Sequence, residues 1–398
     1  MSLAQGRHYL AIPGPSVVPD RVLNAMHRPA PNIYTGGLHA LTHSLFPDLC
    51  RLAGTSHTAV IYIANGHGAW EAALSNTLCR GDRVLVLSTG RFANGWGLIA
   101  QGMGIEVQTL DFGLRAAADP AKLAQALADD PDHAIKAVLV VQVDTASGVR
   151  NDIRALRTAL DETGHPALLM VDCIASMGVE RFEMDAWGVD VAVTGSQKGL
   201  MLPPGLGFVF YNDRADRARD RADCVTAYWD WRSRTNPEIY YQYFCGTPPT
   251  HHLFGLRESL DMIAEEGVEH VWTRHQILAH AVWEACEAWG AEGPLEMNIA
   301  DRARRSHAVT SLRLSAPHGT ELREWLTENA GVTLGIGIGM VAPEDPDWHR
   351  FFRIGHMGHV NAHMVLGTLA SIDAGLKALS LPHGSGALEA ASRVVAQV

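Results

Sequence analysis

The sequence predicts an α/β protein, with a large domain on a mostly parallel, seven-stranded sheet and a smaller C-terminal α+β domain. First, short apolar runs alternate with helical patterns from about residue 59 to residue 211. Second, most of these runs are continuously apolar and rich in β-branched residues, as in strands that helices cover on both faces. Third, a long helical stretch with few breakers carries the chain out of this region. This order implies a parallel sheet, in which ligands bind beyond the carboxyl ends of the strands.

Seven runs are predicted to be strands, and helices are predicted between them, for example over 70–78 and 153–161. The run "IEVQTL" differs from the others because apolar and polar residues alternate in it, which indicates a position nearer a sheet edge. The predicted strands are Ala59–Ile63, Arg83–Leu87, Ile105–Leu110, Ala137–Val143, Ala167–Val171, Val189–Val193 and Gly207–Tyr211.

The chain is predicted to have an arm and two domains. The N-terminal segment "AIPGPSVVPD" is predicted to be extended, because each proline disfavours helix in the residue before it. One long helical stretch is predicted over Leu256–Trp289, followed by "AVTSLRLS", "VTLGIGIG" and "FFRIGHMG" and a helix over Ala362–Leu379. We therefore expect an arm over residues 1–20, a large domain over 21–270 and a small domain over 271–398.

The charge, the hydropathy and the cysteine spacing of the chain argue against several classes of function. The net charge of −11 is spread without like-charge blocks, so neither nucleic-acid nor membrane-surface binding is expected. No apolar run approaches the roughly 18 residues of a membrane span, and no secretory signal is visible at the N-terminus. The six cysteines have irregular spacings and no CxxC, which favours reduced thiols, a cytoplasmic location and no metal site.

Lys198 follows a predicted strand in the stretch "VAVTGSQKGLMLPPGLGFVF". The chain has only four lysines beside 28 arginines, so a lysine in this small-residue turn stands out. At the carboxyl end of a strand its amine can reach a cleft, where desolvation lowers the pKa and leaves a neutral nucleophile for an aldehyde. A solvated surface lysine is the structural alternative.

Asp172 ends the apolar run in "LLMVDCIASMG". A carboxylate at the end of a buried strand can hold a metal ion, orient a histidine or pair with a protonated ring nitrogen. A helix N-cap or a loop carboxylate is the structural alternative.

The segment Asn65–Gly68 lies between a predicted strand and a helix from about Ala69. Its glycines let backbone N–H groups approach a phosphate at the helix N-terminus. The pattern is not GxGxxG and no acidic residue follows about 20 positions on, so a nucleotide-binding dehydrogenase is disfavoured. Arg353, in "FFRIGHMG", carries a guanidinium suited to bidentate carboxylate binding.

Together these motifs resemble the class V aminotransferases of pyridoxal-5′-phosphate fold type I, and among them the alanine–glyoxylate and serine–glyoxylate branch. The similarity covers most of the chain, and the pair "VDCIASMG" and "GSQKGLMLPPG" is highly specific. It runs through "PGPSVVPDRVLNAM", "NGHGAWEAALSNTLCRGDRVL", "DTASGVRNDI", "LLMVDCIASMG", "WGVDVAVTGSQKGLMLPPGLG", "GLRESLDMIAEEGVE" and "FRIGHMG".

The resemblance implies a role for each matching residue. Lys198 would bind the cofactor pyridoxal 5′-phosphate covalently and then carry protons as the catalytic base. Asp172 would pair with the pyridine nitrogen and keep it protonated. Phe92 would stack on the ring, and Thr145 would lie near the phenolic oxygen.

The resemblance also implies phosphate contacts from Gly66, His67 and Gln197. Thr247 matches a residue that reaches the phosphate of the neighbouring subunit, which implies a homodimer with shared active sites. Arg353 would bind the α-carboxylate of the substrate.

The sequence departs from the family in segments that are expected to determine substrate preference. The segment "NIYTGG", Asn32–Gly37, stands where "HRS" is usual, so Tyr34 is expected to line the substrate pocket. Asn65 stands where serine or threonine is common and is also assigned to substrate binding. The stretch Gly335–Met340 offers no second arginine for a distal carboxylate, which favours a small neutral amino donor.

The predicted reaction is transamination from serine or alanine to a 2-oxo acid, glyoxylate or pyruvate. Aspartate or pyridoxamine as donor is the neighbouring alternative. A lyase or cysteine desulfurase is a more distant alternative. A desulfurase would need a mobile catalytic cysteine on a loop, and Cys245 sits instead at the phosphate-contact segment. A non-catalytic binding protein on this fold would be expected to have lost Lys198, Asp172 or Arg353.

Overall fold

The structure is a computed structural model that describes residues 2–235 and 237–397. Within these residues the strands are β1 (Tyr9–Ala11), β2 (Thr58–Ala64), β3 (Arg83–Ser88), β4 (Glu106–Asp111), β5 (Ile135–Val141), β6 (Val143–Asp144), β7 (Val149–Arg150), β8 (Leu168–Asp172), β9 (Val191–Gly195), β10 (Gly205–Tyr211), β11 (Glu296–Met297), β12 (Val309–Arg313), β13 (Val332–Ile336) and β14 (Phe351–Gly355).

The α-helices of the same residues are α1 (Asp20–Met26), α2 (Gly37–Ala53), α3 (Gly66–Thr77), α4 (Arg91–Gly102), α5 (Pro120–Ala128), α6 (Ile153–Glu162), α7 (Asp213–Ala218), α8 (Arg232–Thr235), α9 (Thr250–Glu266), α10 (Val268–Gly290), α11 (His318–Trp325), α12 (Ala362–Ala378) and α13 (Ala387–Val395). Short 3₁₀ segments span Tyr240–Phe244, Arg302–Arg304 and Pro346–Arg350, and a π-helical turn spans Leu326–Ala330.

In the described part of the chain, the larger sheet has seven strands in the order β2-β10-β9-β8-β5-β3-β4. Only β10 runs antiparallel to its neighbours, β2 and β9; the other neighbouring pairs are parallel. The predicted α/β fold with a mostly parallel sheet is confirmed. The alternating run lies in β4, at the edge of the sheet, as its pattern indicated.

Helices cover both faces of this sheet, which is why its central strands are continuously apolar. Successive residues of a strand point to opposite faces, so Leu169 packs into one core and Met170 into the other. The second of these cores also holds Trp70 of α3 and Trp96 of α4. The two helices that begin at the carboxyl edge of the sheet are therefore fixed by large buried side chains.

The smaller sheet has the order β1-β13-β14-β12-β11 and a core of its own. Its core combines Leu312 and Phe352 with residues of α10 and α12. The N-terminal segment is extended, as predicted, and its strand β1 pairs in parallel with β13. Boundaries at residues 20 and 270 remain a proposal, supported by the separate core of the second sheet.

The helical stretch after the first sheet is interrupted, so the prediction of one unit over Leu256–Trp289 is wrong at Gly267. This residue has φ +86° and separates α9 from α10. A left-handed backbone at that position favours glycine and cannot continue an α-helix.

No helix within residues 2–235 and 237–397 is both long and apolar enough to cross a membrane. All six cysteines are free thiols.

Candidate active site

A cavity of about 100 Å³ lies at the carboxyl edge of the seven-stranded sheet. Because neighbouring parallel strands end at the same edge, the residues that follow them converge there. The cavity is formed by the ends of β8 and β9, the loop beside β6 and the first turns of α3 and α4. Its lining is Gly66, His67, Trp70, Phe92, Val143, Thr145, Asp172, Ile174, Ala175, Gln197 and Lys198.

Lys198 lies in the turn after β9, partly buried, with its Nζ donating to the carbonyl oxygen of Pro13. A Cβ on Gly14 would stand 2.2 Å from Nζ, so the N-terminal segment passes directly over the amine. Burial, and to a smaller extent the charge of Arg353, lower the pKa of Lys198 to about 8 against the opposing charge of Asp172. The amine therefore has the depressed pKa that a nucleophile needs, and the surface-lysine alternative does not hold.

Asp172 is the last residue of β8 and is 2% exposed. Its carboxylate accepts hydrogen bonds from the indole Nε1 of Trp70 at 3.0 Å and from the backbone N of Ile174 at 2.6 Å. Burial raises its pKa to about 7, although both hydrogen bonds lower it, and the charge of Asp144 adds to the rise. A buried carboxylate of this kind favours a cationic partner inside the cavity.

Trp70 orients Asp172 and was not among the residues that the sequence predicted for the site. It lies on α3 one turn after Gly66 and His67 and is completely buried. An indole N–H that is buried usually has an acceptor, so a tryptophan close behind a glycine-rich turn was the available signal.

The N-terminus of α3 forms the polar end of the cavity. The helix begins at Gly66, three residues before the predicted start, and Asn65 caps it by accepting from the backbone N of His67 at 3.0 Å. A Cβ at Gly195 would lie 3.6 Å from the Gly66 amide nitrogen and 3.0 Å from Gln197 Oε1, so the three residues crowd together. Backbone N–H groups at a helix N-terminus form a site for an anion.

Phe92 and Thr145 meet the cavity from α4 and from the loop after β6. The backbone N of Phe92 donates to Asp144 Oδ2 at 2.8 Å, which fixes the start of α4. The ring centroid of Phe92 is 6.5 Å from that of Trp70, in an edge arrangement. Thr145 is buried and uses its carbonyl oxygen to accept from Arg353.

Arg353 reaches the margin of the site from β14 of the smaller sheet and is 7% exposed. Its Nε donates to Ile336 O at 2.6 Å and its Nη1 to Thr145 O at 2.7 Å. Among the described residues it has no ion pair at salt-bridge distance, and burial lowers its pKa to about 10. A guanidinium held by two carbonyls and lacking a carboxylate is suited to an anionic substrate group.

Four predicted site residues do not line this cavity: Arg353, which lies at its margin, and Tyr34, Thr247 and Asn65. Tyr34 lies in a bend and is 74% exposed. Thr247 follows the 3₁₀ segment Tyr240–Phe244 and is also exposed. Asn65 is at the edge, where its side chain caps α3. Cys245 is exposed as well and is not among the lining residues.

Comparison with known proteins identifies the family. Residues 48–360 match the family model described as aminotransferase class-V. The chain is 38% identical to the serine–glyoxylate aminotransferase of Methylorubrum extorquens, over 97% of this chain and 96% of that protein. It is 33% identical to the L-aspartate–glyoxylate aminotransferase of Paracoccus denitrificans, over 96% and 94% of the two chains.

The fold is also that of a solved ureidoglycine–glyoxylate aminotransferase from Bacillus subtilis, with a TM-score of 0.88, 24% identity and full coverage of both chains. The family model and the two curated relatives cover most of the sequence. The chain belongs to the class V aminotransferases and is an enzyme of the transaminase type.

Proposed function

We propose that this enzyme binds pyridoxal 5′-phosphate in the cavity around Lys198 and transfers an amino group from serine or alanine to a 2-oxo acid, glyoxylate or pyruvate. One observation carries the proposal. The Lys198 amine, with its lowered pKa, and the Asp172 carboxylate, with its raised pKa, line the same small cavity as an aromatic ring and a helix N-terminus.

The residues present fit this cofactor. The Gly66 amide, the N-terminus of α3 and the side-chain NH2 group of Gln197 are N–H donors at the polar end of the cavity. Such donors suit the oxygens of a phosphate, which accept hydrogen bonds. Asp172 suits a protonated ring nitrogen, and Lys198 suits an aldehyde carbon.

In this assignment Lys198 holds the cofactor, and Asp172, oriented by Trp70, holds the positive charge of the ring. Phe92 limits the space on one side of the ring, and His67 and Gln197 flank the phosphate. When bound, the cofactor supplies the electron sink for the reaction. Arg353 would bind the α-carboxylate of the donor. The amine of Lys198, freed when the donor's amine takes its place on the cofactor, would take the proton from the donor's Cα and deliver it to the cofactor carbon that had held the lysine.

The proposed enzyme is a cytoplasmic homodimer. We propose a homodimer in which Thr247 reaches the phosphate of the neighbouring subunit, because Thr247 is exposed in the single chain and the family resemblance assigns it that contact. A cytoplasmic location is supported by six free thiols.

The cofactor assignment is tested by absorption. Purified protein reconstituted with pyridoxal 5′-phosphate should show a visible band, and Lys198→Ala should lack it. Reconstituted wild type without the band would overturn the assignment. In single-turnover mixing, serine or alanine should bleach the band and release the 2-oxo acid; if neither does so while another donor does, the donor assignment fails.

Aspartate is a second candidate donor, favoured by Arg91. This exposed residue begins α4 beside Phe92 and has no hydrogen-bond or ion-pair partner within residues 2–235 and 237–397. Its side chain covers Gly339, where an added Cβ would lie 2.5 Å from the Cβ of Arg91. Gly339 is in the same Gly335–Met340 stretch whose Ile336 carbonyl holds Arg353. A second cation beside the site could therefore bind a distal carboxylate.

Arg91→Gln separates the two donors. If aspartate is the donor, its KM should rise roughly 10-fold or more, the loss expected for one charge-assisted hydrogen bond, while the KM of serine stays unchanged. Equal KM values for aspartate in wild type and variant would rule out Arg91 as a carboxylate ligand.

A further inference from the structure

Asp144 is a buried carboxylate beside the cavity that the proposed reaction does not use. It ends β6 and is 0% exposed. No lysine or arginine of residues 2–235 and 237–397 lies within salt-bridge distance of it. Burial raises its pKa, although backbone N–H groups of Ala146, Phe92, Ser147 and Ala93 each lower it. An isolated buried carboxylate is costly unless such donors surround it.

Two of these donors belong to the first turn of α4. Phe92 N donates to Oδ2 at 2.8 Å. The N-cap of the helix, Gly90, has no side chain to cap it, and a Cβ there would stand 2.2 Å from the carboxyl carbon of Asp144. Asp144 therefore serves as the cap of a helix to which it is not adjacent in sequence, and the glycine leaves room for it.

The next residue makes the second connection. Asp144 Oδ1 accepts from Ala146 N at 2.9 Å, and this turn directs the Thr145 carbonyl to Arg353 Nη1 at 2.7 Å. The negative charge of Asp144 also acts on Arg353 and on Asp172. The Asp144 carboxylate thus connects Phe92, which lines the cavity, to Arg353 of the smaller sheet.

We propose that Asp144 is a positioning residue that fixes Phe92 and Arg353 relative to one another, and so couples cofactor binding to recognition of the substrate carboxylate. This inference rests on the proposed function in one respect, namely that Phe92 contacts pyridoxal 5′-phosphate and that Arg353 binds the substrate carboxylate. The contacts of Asp144 themselves are independent of it.

The test is Asp144→Asn, which keeps the side-chain shape but removes the charge and one acceptor. Both the Kd of the apoenzyme for pyridoxal 5′-phosphate, from tryptophan fluorescence, and the KM of the amino donor should rise roughly 10-fold or more, as expected for losing a hydrogen bond to a charged group. Asp144→Glu keeps the charge and should bring both constants back toward wild type.

A matched control is Asp190→Asn. Asp190 is also a buried carboxylate, 1% exposed, that accepts a backbone hydrogen bond from Leu169 and pairs with Arg214 away from the cavity. Its variant should lose thermal stability without a change in Kd or KM. If Asp144→Asn behaves in the same way, with lower Tm and unchanged Kd and KM, the positioning role is refuted.

Gly90→Ala serves if Asp144→Asn does not fold, because the new methyl group displaces the carboxylate without removing its charge. The same joint rise in Kd and KM is expected, and unchanged constants would overturn the inference. A wild type that binds no pyridoxal 5′-phosphate would instead overturn the proposed function.

Discussion

At the scale of single residues, the site depends on two groups whose pKa values burial shifts toward each other. The pKa of Lys198 falls to about 8, and the pKa of Asp172 rises to about 7. Each shift costs the empty protein stability, because each group is held where its charged form is poorly solvated. Such shifts are typical of catalytic groups, which are kept reactive at the expense of folding free energy.

The Lys198 amine should react with pyridoxal 5′-phosphate at a rate set by its neutral fraction. With a pKa of about 8, about 9% of the amine is neutral at pH 7, compared with about 0.04% for an ordinary lysine. The rate of covalent cofactor binding to the apoenzyme, followed at the visible band, should rise with pH and level off above about pH 8. A rate that keeps rising to pH 10 would show that the pKa is not lowered.

Asp172 should make the stability of the apoenzyme fall with pH. Its pKa is raised from 3.8 to about 7, so the folded state binds more protons than the unfolded state in this window and loses stability as pH rises through it. Asp172→Asn cannot titrate there. Between about pH 4 and pH 8 the variant should gain on the order of 2–4 kcal/mol of unfolding free energy relative to wild type, measured by urea denaturation. A difference independent of pH would contradict the shift.

At the scale of elements, the site is built from the starts of helices and the ends of strands. The segment Asn65–Gly68 was predicted as a turn before a helix, and the structure makes Gly66 the first helical residue with Asn65 as its cap. Sequence patterns identify helices well but locate their ends less accurately, because the apolar periodicity does not extend into the capping residues.

Asn65→Ala should loosen the start of α3. Loss of an N-cap costs about 1 kcal/mol, and because the freed amides lie at the proposed phosphate site, the Kd for pyridoxal 5′-phosphate should also rise. Asn65→Ser should restore both values. Asp119→Ala is the control, since Asp119 caps α5 away from the site and should lower stability alone. A change in donor KM without a change in cofactor Kd would support the predicted substrate contact of Asn65 instead.

At the scale of the whole molecule, some of the predicted site residues do not line the cavity of the single chain. Tyr34 and Thr247 are exposed, while every predicted cofactor residue except Thr247 lines the cavity. The predicted contact of Thr247 with a neighbouring subunit accounts for its position and remains a prediction.

Shared sites should allow two inactive chains to complement each other. Lys198→Ala removes the amine, and Thr247→Asp places a negative charge where the neighbour's phosphate is expected. Mixed and reassembled dimers carry one intact site in each heterodimer, so activity should return to about a quarter of wild type. Failure of the mixture to recover activity, with dimers present by light scattering, would place Thr247 outside the partner's site.

The α/β fold, the seven strands, and the positions of Lys198 and Asp172 at strand ends could be predicted from the amino-acid sequence alone. These features are local: burial on both faces produces apolar runs, and a small-residue turn follows the strand that presents the lysine. The resemblance to a family added roles for Phe92, Thr145 and Gln197, and the structure brings all three to the cavity.

The contacts that hold these groups in place come from the packing of distant segments. Trp70 and Asp172 are 102 positions apart, and Thr145 and Arg353 are 208 apart. The cap that Asp144 provides for α4 crosses 52 positions. No local pattern encodes a contact between side chains so distant in sequence, because each depends on how the packed strands and helices bring the chain together.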